Sequence, residues 1–239
     1  MSVRDRLLYG GRGLECPCCG GRFRRFRSAG TPSRANARCP RCDSLERHRQ
    51  HWLWLTRRSD LFGRPQRLLH VAPERILLDH LQAESGIDYV PVDKHEPGHS
   101  MPPGVGYADL TALDFPDASF DAILCFHVLE HIPEDRLAMR ELRRVLRPDG
   151  WALVEVPFEC GRETTFEDPA ARTPEERLRA FGQIDHVRIY GRDFVERLEG
   201  AGFDVAAVAP ESFCTPEEIA RYSLTPGRIA FLCRPVSGT

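Results

Sequence analysis

The sequence predicts an α/β protein: a mostly parallel sheet with helices on both faces, preceded by a small cysteine-rich module. Three observations carry the prediction. From Arg67 onward, short apolar runs of strand length alternate with segments of helical pattern, the order expected of parallel strands joined by crossover helices. Five of the nine cysteines fall between Cys16 and Cys42, where paired spacing favours a metal site over a disulfide framework. At 239 residues the chain can bury one full core and still carry an appendage.

The appendage comes first, over residues 1–60. Cys16-x2-Cys19 and Cys39-x2-Cys42 are separated by 19 residues, the spacing of a zinc ribbon. Each CxxC turn brings two thiolates to one ion, and two such turns close a tetrahedron. Pro17 and Pro40 stiffen the turns, and Gly20 permits a positive φ after Cys19. Cys18 is an alternative to Cys19, but the position of Gly20 favours Cys19. Four cysteine ligands leave no open position, so the expected Zn2+ is structural. The run "DSLERHRQHWLWLTRRSD" predicts a helix capped by Asp43 or Ser44, with Leu45, Trp52, Leu53 and Leu55 available for docking.

Charge is divided unevenly. Residues 1–60 carry 14 arginines against 5 acids, a balance of +9, which leaves −11 for the rest of a chain of net charge −2. Lys94 is its single lysine. Docking of the cationic head on the acidic body is the favoured reading of this asymmetry. Phe23, Arg24, Arg25, Phe26 and Arg27 would suit RNA or DNA, with a solvated loop beside a scaffold slightly ahead. No apolar run approaches the roughly 20 residues of a membrane span, and the amino terminus lacks a signal-peptide core. A reduced, cytoplasmic location without membrane association is expected, and the oligomeric state is left open.

In the second domain, residues 61–239, the expected strands are "RLLHVA", "DYVPVD", "VGYADL", "FDAILCFHV", "WALVEVP", "FDVAAV" and "RIAFLC". Helices are expected over 73–83, 136–146 and 191–201. Ligands of such sheets lie beyond the carboxyl ends of the strands, which directs attention to Asp93, about 20 residues after the first strand, as a partner for two ribose hydroxyls.

"YADLTALDFPDASFDAILCFHVLEHI" and "LRRVLRPDGWALVEVP" closely resemble class I S-adenosylmethionine-dependent methyltransferases of the type 11 kind. The resemblance covers roughly residues 67–205 and implies a Rossmann-like sheet that binds S-adenosylmethionine. Asp109 and Leu110 match the family's adenine-contacting position, Phe126 can flank the adenine, and Asp93 with Lys94 takes the ribose end. "HVLEH" leaves the fourth strand where the family's active site lies. His127 and His131 are candidate bases there, with Glu130 facing the acceptor or satisfying loop amides. On a helix the two histidines, four apart, would also suit a metal, the less favoured reading. The segment from Arg179 resembles one found in a bacterial subgroup that also carries amino-terminal CxxC pairs. In it His186 is a further base candidate, and Gln183, Arg188 and Tyr190 are candidate acceptor contacts. A polar connection tying the last helix to the sheet is an equal alternative.

The resemblance departs at the first motif. His70 stands where the family has an acid, Ala72 and Glu74 stand where glycines are expected, and Pro73 removes a donor from the turn. Glu74 is therefore a candidate partner for the methionine ammonium. The expected function is methyl transfer from S-adenosylmethionine to O or N of a small-molecule or glycan-type metabolite. The alternatives are an RNA or protein methyltransferase docked through the ribbon, and a catalytically silent binding protein.

Overall fold

The computed structural model describes residues 3–94 and 102–236. Helix α1 (Val3–Tyr9) leads into strand β1 (Gly10–Glu15), which pairs antiparallel with β2 (Arg22–Phe23). Strand β3 (Arg27–Ala29) pairs in the same way with β4 (Arg34–Arg38). Helix α2 (Glu46–Arg57) follows. It starts after Leu45, not at a cap formed by Asp43 or Ser44. Asp43 holds φ 57°, whereas an N-cap needs extended backbone. Ser44 is turned to the sulfurs of Cys16 and Cys42 at 3.2 and 3.3 Å. The Leu45 amide donates instead to His48 Nδ1 at 3.3 Å.

A seven-stranded sheet forms the second half of the molecule. Its strands are β5 (Gln66–Val71), β6 (Ile87–Asp93), β7 (Gly106–Tyr107), β8 (Phe120–Phe126), β9 (Leu146–Glu155), β12 (Phe203–Val208) and β13 (Ala230–Pro235). The short strands β10 (Phe166–Glu167) and β11 (Arg188–Ile189) form a separate antiparallel pair. The helices between them are α3 (Arg75–Gln82), α4 (Asp135–Val145), α5 (Pro174–Phe181), α6 (Phe194–Glu199) and α7 (Pro216–Tyr222). The strand order is β12-β13-β9-β8-β5-β6-β7. Pairs β5/β8, β8/β9 and β6/β7 are parallel, and β13 is antiparallel to β9. Every residue of β8 is buried, as a central strand covered on both faces requires. The chain runs outward from β5 to β6 on one side and returns to β8 on the other, which creates a crevice at their carboxyl ends.

Three elements differ from the sequence reading for local reasons. The strand expected at "VGYADL" stops at Tyr107, because the Asp109 carboxylate accepts from the Thr111 amide (2.9 Å) and turns the chain. Strand β8 ends at Phe126, since His127 takes φ 55°. Strand β9 begins at Leu146, directly after α4, and is already paired with Phe120 there. Gly150 permits this approach: a Cβ at that position would stand 2.7 Å from the Asp121 carbonyl. Helices α5 and α7 add to the three expected. Each opens on Thr-Pro-Glu-Glu with a capping box, Thr173 with Glu176 and Thr215 with Glu218.

The chain separates into two compact units, Met1–Pro65 with Glu74–Ile87 and Val208–Ile229, and Gln66–Pro73 with Asp88–Ala207 and Ala230–Thr239. In the first, α3 lies with α2: the Trp52 and His80 rings stack at 4.4 Å. Arg49 of α2 is fully buried. Its guanidinium donates to the carbonyls of Tyr222, Ala37, Ser44 and Ser223 at 2.7–3.0 Å and lies 4.6 Å over the Phe26 ring. A buried arginine is tolerated when its donors all find acceptors.

Candidate active site and cysteine centre

In the first unit the sulfurs of Cys16, Cys19, Cys39 and Cys42 lie within 4.8 Å of one another. Cys16 and Cys42 are 3.6 Å apart, and Cys19 and Cys39 are 3.8 Å apart. These separations are far beyond the roughly 2.05 Å of a disulfide, so the four thiols are not bridged to one another. A tetrahedral ion with ligands at about 2.3 Å has edges of about 3.8 Å, so the four thiols fit zinc. Both knuckles end in a left-handed residue, Gly20 (φ 65°) after Cys19 and Asp43 (φ 57°) after Cys42. The Cys18 thiol, 3.8 Å from the His48 carbonyl, is not one of the four. Phe23 and Phe26, which base stacking would need at the surface, are buried against the cysteines with their rings 5.6 Å apart.

In the second unit the carboxyl ends of the parallel strands carry two groups of polar residues. At the first, Asp93 Oδ1 accepts from the Lys94 amide at 2.8 Å, and the Lys94 ammonium reaches Asp109 Oδ2, also at 2.8 Å. Asp109 Oδ1 accepts from the Thr111 hydroxyl at 2.6 Å. Lys94 and then Thr111 hold the Asp109 carboxyl down at about 2, so it is ionised at any ordinary pH. Leu110, next to Asp109 in sequence, and Phe126, the last residue of β8, are both buried. Strand β5 ends with Ala72 at φ 47°, so the turn keeps a left-handed residue without glycine. His70 is fully buried in β5, with Nδ1 2.8 Å from the Tyr89 hydroxyl. Glu74 belongs to the first unit, where its carboxylate faces Arg47 and His48 of α2 at 3.9 and 3.8 Å.

The second group leaves β8. His127 Nδ1 lies 3.3 Å from Glu130 and its Nε2 lies 3.3 Å from Glu155, both carboxylates being 1% exposed. Burial would push the His127 pKa down, but Glu130 and Glu155 outweigh it and raise it to about 9. His127 is therefore an imidazolium at neutral pH and has no lone pair with which to take a proton. Glu155 escaped the sequence reading. Its signal is an acid inside the apolar run "WALVEVP", which burial tolerates only when it is paired. The less favoured i, i+4 pairing of His127 with His131 does not form, because residues 129–131 make a short 3-10 turn. Instead His131 and His186 meet edge to face, ring centres 4.8 Å apart. Burial first of all lowers the His186 pKa, which keeps that ring neutral.

Arg188 and Tyr190 are buried and their polar atoms are engaged within the protein. Arg188 bonds Glu167 at 2.8 Å and the carbonyls of Leu129 (3.0 Å), Pro133 (2.8 Å) and Ile132. The Tyr190 hydroxyl shares its proton between Asp135 at 2.9 Å and the Leu129 carbonyl at 3.2 Å, and Arg197 reaches Asp135 and Glu167 at 3.0 and 3.1 Å. This network ties β11 and α6 to the turn that carries Glu130 and His131. Gln183 is exposed.

Strand order and the switch point between β5 and β8 are those of a Rossmann-like sheet, with two polar groups at its strand ends. Residues 83–154 match the family described as methyltransferase domain, a stretch of under a third of the chain. The match begins after the glycine-free turn. A probable S-adenosylmethionine-dependent methyltransferase of Mycolicibacterium smegmatis is 36% identical over 102 residues, 42% of this chain and 35% of that protein. The 27-O-demethylrifamycin SV methyltransferase of Amycolatopsis mediterranei is 46% identical over 121 residues, 49% of this chain and 38% of that protein. The chain thus spans little more than a third of the length of either relative. The 1,6-didemethyltoxoflavin-N1-methyltransferase of Burkholderia thailandensis, solved with S-adenosylhomocysteine, shares the fold at TM-score 0.50 and 19% identity, over 80% of this chain and 78% of that one. Among the described residues, no helix is long and apolar enough to cross a membrane.

Proposed function

We propose that the protein transfers a methyl group from S-adenosylmethionine to O or N of a small-molecule or glycan-type acceptor, and that its amino-terminal ribbon holds a structural Zn2+. The observation that carries the catalytic reading is the presence of two polar groups at carboxyl strand ends of one sheet, one after β6 and β7 and one after β8, with β5 between them. Asp93 and Asp109 suit an adenosine: carboxylates accept from ribose hydroxyls and from an exocyclic amine, and Asp109 is held ionised for that purpose. When bound, S-adenosylmethionine supplies a methyl group activated by a sulfonium.

The residues after β8 then act on the acceptor. Methyl transfer needs in-line placement above all, and a hydroxyl acceptor must also lose its proton. His127, positively charged between Glu130 and Glu155, fixes the geometry of the turn and can donate a hydrogen bond. His131 and His186 supply the lone pairs. The partial match to an enzyme named for a 27-O-demethylated rifamycin is in keeping with a small-molecule acceptor.

The four thiolates contribute folding free energy and leave no position open for chemistry. The reading is tested by incubating the zinc-loaded chain with methyl-labelled S-adenosylmethionine and a panel of hydroxyl and amine acceptors. Transfer that falls at least about a hundredfold in His186→Ala supports a proton-accepting role there. Transfer unchanged in His131→Ala, His186→Ala and the double variant would refute the assignment.

A further inference from the structure

One carboxylate oxygen of Glu130 and one ring nitrogen each of His131 and His186 lie within 4.8 Å of one another. Glu130 and Glu155 are both buried, at 1% side-chain exposure, and each lies 3.3 Å from a nitrogen of the His127 ring. Neither Glu130 oxygen accepts a well-formed hydrogen bond, although buried carboxylates ordinarily do.

Two of the three side chains, Glu130 and His131, also have an outer partner. Glu130 is braced by the His127 ring. His131 Nδ1 faces the Asp185 carbonyl at 3.3 Å and its carboxylate at 3.4 Å, so Nε2 is the atom left to bind. This is the arrangement in which a metal-ligating imidazole is held by a carbonyl or carboxylate on its other nitrogen. His186 is brought alongside because the Val187 amide donates to the Glu130 carbonyl at 2.9 Å and Arg188 clamps the same turn.

We propose that Glu130, His131 and His186 form a divalent-cation site, distinct from the cysteine centre, whose remaining positions take an oxygen of the methyl acceptor. Two imidazoles and one carboxylate on one side of an ion leave adjacent positions open. Ligand atoms about 2.1 Å from an ion at right angles stand about 3 Å apart. Rotation of the two partly exposed imidazoles closes the remaining gap onto the fixed Glu130. An acceptor hydroxyl bound there would lose its proton to water more readily; with the ion bound, the two imidazoles would serve as its ligands in place of the proton-accepting role they have in the ion-free chain. The site for the ion stands independently of the methyltransferase reading; only its role toward the acceptor rests on that reading.

Manganese is the suitable probe, because four thiolates favour softer ions. Mn2+ is titrated into the full zinc-loaded chain and free Mn2+ is followed by its paramagnetic resonance signal. One Mn2+ per chain is expected, bound at least about tenfold more weakly by His186→Ala and by Glu130→Gln. Calorimetry with S-adenosylhomocysteine on the same samples shows whether each variant keeps its fold. Variants that bind the homocysteine compound like wild type but lose Mn2+ establish the site. Wild type that leaves Mn2+ free at millimolar concentration, or equal Mn2+ binding in both variants, overturns it and leaves the methyltransferase reading standing. Mn2+ binding without binding of the homocysteine compound supports the site and counts against that reading.

Discussion

Replacing Arg188 by methionine keeps the apolar length of the side chain and removes its charge and its donors. Arg188 is 4% exposed and holds Glu167 and three backbone carbonyls of the turn at residues 129–133. The Leu129 carbonyl keeps the Tyr190 hydroxyl at 3.2 Å, and Glu167 keeps Arg197 at 3.1 Å. The Ile132 and Pro133 carbonyls lose the donor that served them. A buried acceptor left without a partner costs about 1–3 kcal/mol, so the pair amounts to about 4 kcal/mol. That equals the cost of breaking a buried charge network, about 3–5 kcal/mol. Urea unfolding followed by circular dichroism should show this loss, with a melting temperature lower by about 8–16 °C. A loss below about 1 kcal/mol would refute the reasoning. If stability were kept while an anionic acceptor bound less tightly, Arg188 would be an acceptor contact after all.

The His127 imidazolium gives a pH signature. Its folded pKa, about 9, is above the ordinary value, so its stabilisation is complete below about pH 6.5 and disappears as pH rises through 9. The difference between wild type and His127→Asn, a substitution that tolerates the left-handed backbone, should reach about 3 kcal/mol near pH 6 and shrink toward pH 10; a gap independent of pH would contradict the charged assignment. Cys39→Ser should reduce zinc from one ion per chain to none, measured by mass spectrometry, with loss of protease resistance over the first 60 or so residues. Wild type purified without zinc would overturn that assignment.

Much of the molecule is written in local sequence pattern. The buried strands announce themselves as apolar runs, and the CxxC spacing places all four sulfurs of the cysteine centre at one point. The capping boxes of α5 and α7 were legible too, in two copies of Thr-Pro-Glu-Glu, though apolar periodicity alone passes over them. What escaped is set by tertiary partners. Nothing near Arg188 or Tyr190 distinguishes a side chain that meets an acceptor from one that closes a network with Asp135, Glu167 and Arg197. The grouping of α3 with the ribbon depends on Ile76 packing near the cysteines and on His80 meeting Trp52, contacts made across long stretches of chain. His127 and His131 looked like a pair because their spacing fits a helix. A positive φ at His127 separates them and gives His131 to His186.

The central claim is that the strand-end carboxylates hold an adenosine although the turn after β5 has no glycine. Titration of S-adenosylhomocysteine into the zinc-loaded chain by calorimetry tests it most directly, with Asp93→Ala as the control. One site per chain, weakened at least about tenfold in the variant, as loss of a charge-assisted pair of hydrogen bonds requires, is the predicted result. No heat of binding at millimolar ligand, or the same affinity in wild type and variant, would contradict the account.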